Sequence, residues 1–267
     1  AGGIFPPQPA ERVNGGFKVS GRWKFASGSM GASLCGVGIL TDDGGSPLPR
    51  VAVMPREQVN IDSTWDVHGL VATGSNDLVL EDVMVPEEWT FIRGGAPTLE
   101  GPFFSYPSLS FATQVLSVVT LGIARGALDI IEEMASKHKS ITGAPGIGDR
   151  QYAQIDIAKA EAKVRASKAF FYEATEDAWH TIMQGDRPSP HQVSMLRLSS
   201  THLTRECAKA TTTAYHLAGM VSTFNQHRLS RFFRDAMMCT QHAFMGEVTF
   251  QNAGAMFFGN DPLPGYL

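Results

Sequence analysis

The sequence predicts an α+β protein: a β-barrel domain over residues 1–98, then an antiparallel four-helix bundle over 99–267. Three observations carry this reading. Short apolar runs with strand periodicity fill the first third of the chain. Long stretches with apolar residues at i, i+3 and i+4 fill the rest. The two patterns are segregated, which argues against a doubly wound α/β sheet.

The strands come first. "GFKVSGRWKF" places Phe17, Val19, Gly21, Trp23 and Phe25 on one face. "LCGVGIL", "RVAVM" and "NDLVLEDVMV" are further runs, and "NGG" at 14, "TDDGGSPLP" at 41 and "TGSND" at 73 are the turn clusters between them. Short strands broken by Gly, Asp and Pro suit a barrel or sandwich. From about residue 108 the period changes. Val115, Val118, Val119, Gly122, Ile123, Ala127, Ile130 and Met134 follow helical spacing. "TGAPGIGD" at 142 breaks that helix, and a second runs from about 150 to 184. "QGDRPSP" breaks the chain again, with Pro188 or Pro190 opening a third helix to about 218. "AGMVSTFNQH" separates it from a fourth, about 228 to 256. Four long helices with short breaks pack as a bundle.

Composition narrows the function. With 43% hydrophobic and 18% charged residues the chain can bury a large core, which excludes disorder. A net charge of -4 without a basic run argues against nucleic acid as a partner. No apolar stretch approaches about 18 residues, so no membrane span is expected. Cys35, Cys207 and Cys239 show no short spacing and read as reduced thiols of a cytoplasmic protein. The eight His residues form no HExxH pair, so no metal site is expected. Gly36 and Gly38 begin a GxGxxG pattern that fails at Thr41, and there is no P-loop or GxSxG elbow. Ser136 and Lys139 have an SxxK spacing, but at the polar end of a helix.

One stretch stands out. After Phe25 come Ala26, Ser27, Gly28, Ser29, Gly31 and Ala32, six small residues within seven positions. A turn needs fewer, so this backbone is bare enough for a planar group to lie against it. "GLVATGSNDLVLEDVMVP", "LGIARGALD" and "RFFRD" complete a set. In this order and spacing they resemble the acyl-CoA dehydrogenase superfamily over essentially the whole chain.

The resemblance implies a central β-barrel domain and a C-terminal four-helix bundle, usually tetrameric, with flavin beside the barrel strand. Phe25 takes the aromatic position of that strand and Ser27 the hydroxyl position near flavin N5, with Ala26 between them. Family members carry a helical domain before the barrel. This sequence begins inside the barrel segment, so that domain is expected to be missing from it.

The superfamily divides by chemistry. Many dehydrogenases place a Glu shortly after the "R-D" of the last segment; here His242 and Ala243 stand there, and Glu247 comes four residues later. "T-Q-H" at 240–242 and "GRWKFASGS" instead resemble two-component flavin-dependent monooxygenases. That branch implies an oxygenase component that takes reduced flavin (FMN or FAD) from a separate flavin reductase. It adds O2 at flavin C4a and hydroxylates a small aromatic or phenolic substrate. His242 is then the candidate proton-transfer group, since an imidazole titrates near neutrality; a structural histidine is the alternative. Arg125, among Gly122, Ala124 and Gly126, is placed to hold flavin, or to pair with Asp129 at i+4. Gly219 resembles a glycine turn that approaches the cofactor of a neighbouring subunit, or is a helix C-cap. Two other functions stay open: an acyl-CoA dehydrogenase with a displaced base, and a non-catalytic scaffold homologue.

Overall fold

A computed structural model describes residues 1–41, 49–137 and 143–267. Most of the turn cluster expected at 41, the start of the break at 142, and Lys139 lie outside the described residues. The chain divides into two compact units, Ala1–Thr98 and Leu99–Leu267.

The first unit holds β1 (Gly2–Val13), β2 (Gly16–Ala26), β3 (Leu34–Leu40), β4 (Arg50–Pro55), β5 (Asn60–Asp62), β6 (Asn76–Pro86) and β7 (Thr90–Ile92). Their order is β5-β6-β2-β1-β3-β4-β7. β1 links the two halves: its first part runs parallel to β3, and Ala10–Val13 pairs antiparallel with β2. The expected barrel needs correction. Among the described residues nothing pairs β5 with β7, so the sheet is mixed and open. Its end strands are three residues each, too short to close a ring.

The alternation along β2 buries Phe17, Val19 and Trp23, which meet Val37 and Ile39 of β3 and Leu78 of β6 in one core. Trp23 is fully buried, and its indole N–H donates to the Gly38 carbonyl. Gly38 itself is required by close approach: a Cβ there would lie 2.0 Å from the Ile4 carbonyl oxygen. Phe25 breaks the pattern. Its φ is +62° and its ring is exposed.

The second unit holds α1 (Ser108–Lys137), α2 (Gln151–Met183), α3 (Pro190–Ala218), α4 (Arg228–Cys239) and α5 (Glu247–Phe257). α3 is central and packs on the other four. It starts at Pro190, after a capping box in which the Gln192 N–H donates to Ser189 Oγ at 3.2 Å and the Ser189 N–H donates to Gln192 Oε1 at 2.8 Å. Ala124, Leu128, Phe171, Leu203, Cys207 and Leu229 share its core. Small residues bring helices close, as expected: a Cβ on Gly126 would sit 2.9 Å from the Phe232 ring.

Two expectations change here. The fourth helix is two helices, because the chain leaves α-helical geometry after Cys239 and resumes it at Glu247. And the span Ser108–Ser136 of α1 is long and apolar enough to cross a membrane by length and composition alone, with mean hydropathy 1.5. The sequence expectation that no segment approaches that length is corrected. α1 packs on α3 and α4 as a core helix of its unit.

Candidate functional site

In the first unit the residues singled out from the sequence fall at the end of β2. The register with β6 slips between Trp23 and Ala26, and Phe25 absorbs the irregularity with its positive φ. A non-glycine residue in that region stores strain, which concentrates where function needs a fixed geometry. The Phe25 ring meets Trp65 edge-on, at 6.3 Å between centroids and 86° between planes. Ala26 is fully buried, so the surface of this strand end is made by its neighbours. Ser27 and Gly28 are exposed, and a Cβ on Gly28 would meet nothing within 4 Å.

A second loop, residues 70–76, backs this one. The Gly28 N–H donates to the Thr73 carbonyl at 2.7 Å. Ser29 Oγ donates to the Gly74 carbonyl at 3.3 Å. Ser27 Oγ lies 2.7 Å from Ser75 Oγ, which lies 2.8 Å from Thr73 Oγ1. Thr73 Oγ1 donates to the Leu70 carbonyl at 2.8 Å. Sequence reasoning gave Thr73 and Ser75 no role beyond the "TGSND" turn cluster, and Trp65 only a place in the packing of the first domain. The available signal was the "TGS" within a segment otherwise rich in β-formers.

In the second unit His242 stands in the turn between α4 and α5. It caps the one-turn helix Ala243–Met245: its Nδ1 accepts from the Phe244 N–H at 3.2 Å. An accepting Nδ1 leaves the proton of the neutral ring on Nε2. Desolvation by the surrounding protein lowers the His242 pKa, although solvent still reaches the ring in the single chain. The turn is anchored from α3. Thr201 Oγ1 donates to the Phe244 carbonyl at 3.2 Å, and Arg205 Nε to the Met245 carbonyl at 3.1 Å. Arg197, nearly buried, places its guanidinium over the Phe244 and Tyr266 rings.

The other two candidates lie elsewhere in this unit. The Arg125 guanidinium bonds Asp129 at 2.7 Å, Glu132 at 3.0 Å and Glu161 at 2.5 Å. Burial opposes its charge, but the bonds to Glu161 and Asp129 outweigh it and raise the pKa. This is the ion-pair reading, extended from one carboxylate to three. Gly219 ends α3 with φ +64°, and nothing lies within 4 Å of a Cβ built there. Among the described residues no hydrogen bond, ion pair or ring contact joins Arg125, Gly219 and His242 to one another. A groove of about 270 Å³ opens on the same unit, walled by Phe103, Tyr106, Phe111, Val115 and Trp179. Tyr106 donates from its hydroxyl to Gln114 Oε1 at 2.8 Å in its wall.

The exposed strand end at Ser27 and Gly28 and the helical bundle are the two parts that the family resemblance ascribes to flavin-dependent oxidoreductases. A family model described as the C-terminal domain of acyl-CoA dehydrogenase matches residues 114–247. Over 268 residues the chain is 59% identical to the indole-3-acetate monooxygenase of Pseudomonas putida, covering 100% of this chain and 69% of that protein. It is 26% identical over 272 residues to the flavin-dependent monooxygenase oxygenase subunit HsaA of Rhodococcus jostii, covering 98% and 67%. The crystal structure of the HsaA monooxygenase from M. tuberculosis superposes with a TM-score of 0.87 at 26% identity, covering 98% of this chain and 71% of that one. The chain therefore belongs to the acyl-CoA dehydrogenase family, in its branch of flavin-dependent monooxygenases.

Proposed function

We propose that this chain is the oxygenase component of a two-component monooxygenase acting on a small aromatic acid of the indole-3-acetate type. The substrate class rests on the 59% identity to the Pseudomonas putida enzyme. The observation that carries the reaction type is the turn after α4. It presents the imidazole of His242 where a dehydrogenase would present a carboxylate. The next carboxylate, Glu247, is held 2.7 Å from Arg205 Nη1 and is not on the same helix. A dehydrogenase with its base in this segment has no base to use.

Reduced flavin supplies the two electrons that let one oxygen atom of O2 enter the substrate and the other leave as water. The chain's own residues do the rest. Ser27 and Gly28, the exposed residues of the strand end, meet the flavin edge, with Ala26 buried between Phe25 and Ser27 and with Phe25 and Trp65 fixing the loop. His242, kept neutral by desolvation, accepts a proton and returns it. The same reading gives the protein a separate flavin reductase as partner and a homotetrameric assembly. The exposed Val115, Leu116, Val118 and Val119 of α1 support a face covered in that assembly. The three free thiols agree with a reducing, cytoplasmic setting.

The test supplies the full-length protein with reduced flavin, O2 and indole-3-acetate. An oxygenated product, formed in step with O2 uptake, is expected. Reoxidation of flavin with reduction of O2 to hydrogen peroxide, and no change in the aromatic ring, would overturn the substrate class. Reduction of bound FAD by an acyl-CoA would overturn the reaction type.

A further inference from the structure

The three hydroxyls behind the strand end have only one satisfied arrangement of protons. Ser27 Oγ and Ser75 Oγ are 2.7 Å apart, Ser75 Oγ and Thr73 Oγ1 2.8 Å, and Thr73 Oγ1 and the Leu70 carbonyl oxygen 2.8 Å. These are three contacts served by three O–H groups. The carbonyl only accepts, so the Thr73 proton lies on it. Ser75 must then donate to Thr73, and Ser27 to Ser75. Any other arrangement leaves two oxygens facing each other at hydrogen-bond distance with no proton between them. Ser75 is 5% exposed, so water does not offer it an alternative. The carbonyl end is itself fixed: Leu70 also accepts from the Trp65 indole N–H at 3.2 Å and from the Thr73 N–H at 3.0 Å. Leu70 and Gly74 both take φ +50° to bring the loop into this shape.

The exposed end of the chain of hydroxyls is Ser27. Its proton is directed inward, so what it presents outward is a pair of lone electron pairs. We infer that Thr73 and Ser75 are positioning residues that set Ser27 as a hydrogen-bond acceptor, and thereby make the site select reduced over oxidised flavin. The inference rests on the proposed function, with flavin N5 at Ser27 as the family resemblance implies. Reduced flavin carries a proton on N5 and is a donor there. Oxidised flavin has only a lone pair on N5 and meets two further lone pairs. Discrimination thus arises from residues that do not touch the ring.

The test is anaerobic titration of the full-length protein with FMN and FAD, each oxidised and dithionite-reduced, giving the ratio of the two dissociation constants. The wild type is expected to favour the reduced form. Ser75→Ala frees the Ser27 proton to turn outward and should lower the ratio about tenfold, the scale of one hydrogen bond. Thr73→Val should lower it in the same direction, and Thr73→Ser, which keeps the hydroxyl, should restore it. In a Ser27→Ala background, Ser75→Ala should change the ratio no further. A Ser75→Ala variant that weakens both redox forms alike, or keeps its full effect without the Ser27 hydroxyl, would overturn the inference and leave the proposed function standing. A wild type that binds neither form would overturn both.

Discussion

The indole N–H of Trp23 donates to the carbonyl of Gly38 at 2.8 Å, with the Trp23 side chain wholly out of water. This bond ties β2 to β3 across the core of the first unit. Trp23→Phe removes the donor, leaves a buried carbonyl short of a partner and opens a void. A loss of about 2–4 kcal/mol is expected in urea unfolding, with the m-value unchanged.

Gly38 is constrained a second way, by the Ile4 carbonyl 2.0 Å from its would-be Cβ. Gly38→Ala must push β1 off β3, at a cost of about 3 kcal/mol or more. Gly31→Ala is the control, since nothing lies within 4 Å of a Cβ there. It should change the midpoint by less than about 0.5 kcal/mol.

His242 should titrate below the ordinary imidazole value of about 6.5. Its 15N resonances should report a neutral ring protonated at Nε2. The sign of the linkage follows. The unfolded chain takes up the proton first, so the contribution of neutral His242 to stability is complete above the unfolded pKa and is lost as pH falls through the folded one. His242→Asn keeps an acceptor for the Phe244 N–H. It should therefore leave Tm near the wild-type value while abolishing the His242 step from the pH–rate profile.

The thiols should be inert in the folded protein. Burial pushes Cys207 up to about 12 and Cys239 up to about 11, and raises Cys35 as well. Thiolate is the reactive form. Iodoacetamide at pH 8 should label none of the three within the time that labels all of them in guanidinium chloride, as intact mass would show.

Arg125→Met separates the two roles assigned to that residue from the sequence. The ion pairs are partly exposed, so their loss should lower stability by less than about 1 kcal/mol. Affinity for reduced flavin should stay within twofold. A loss of flavin binding with the fold intact would return Arg125 to the cofactor.

The segregation of strands and helices was legible because periods of 2 and 3.6 differ plainly over "GFKVSGRWKF" and over the Val115–Met134 stretch. β1 was not: "GGIFPPQPAERV" has three prolines and two glycines and no apolar alternation, and its pairing comes from β2 and β3 on either side. Closure of a sheet depends on contacts between residues distant in the chain, which a local pattern does not carry. The break after Cys239 hid for a related reason. "CTQHAFMG" contains only one glycine, at its end, and what holds the chain in a turn there is long-range: Thr201 and Arg205 of α3 donate to the Phe244 and Met245 carbonyls beyond the helix end. At the strand end, the small residues pointed to a bare backbone, and the family resemblance put the Ser27 hydroxyl on it. Its hydroxyl partners lie 46 and 48 positions away, and only the fold brings Thr73 and Ser75 behind it.

Because the His242 turn hangs from two α3 side chains, the imidazole takes its aim from a helix it does not belong to. Variation at Thr201 or Arg205 would re-aim it while leaving every surface residue of the turn intact. Directed evolution for new aromatic substrates should accordingly recover changes on the buried face of α3, at positions a comparison of pocket walls would never nominate.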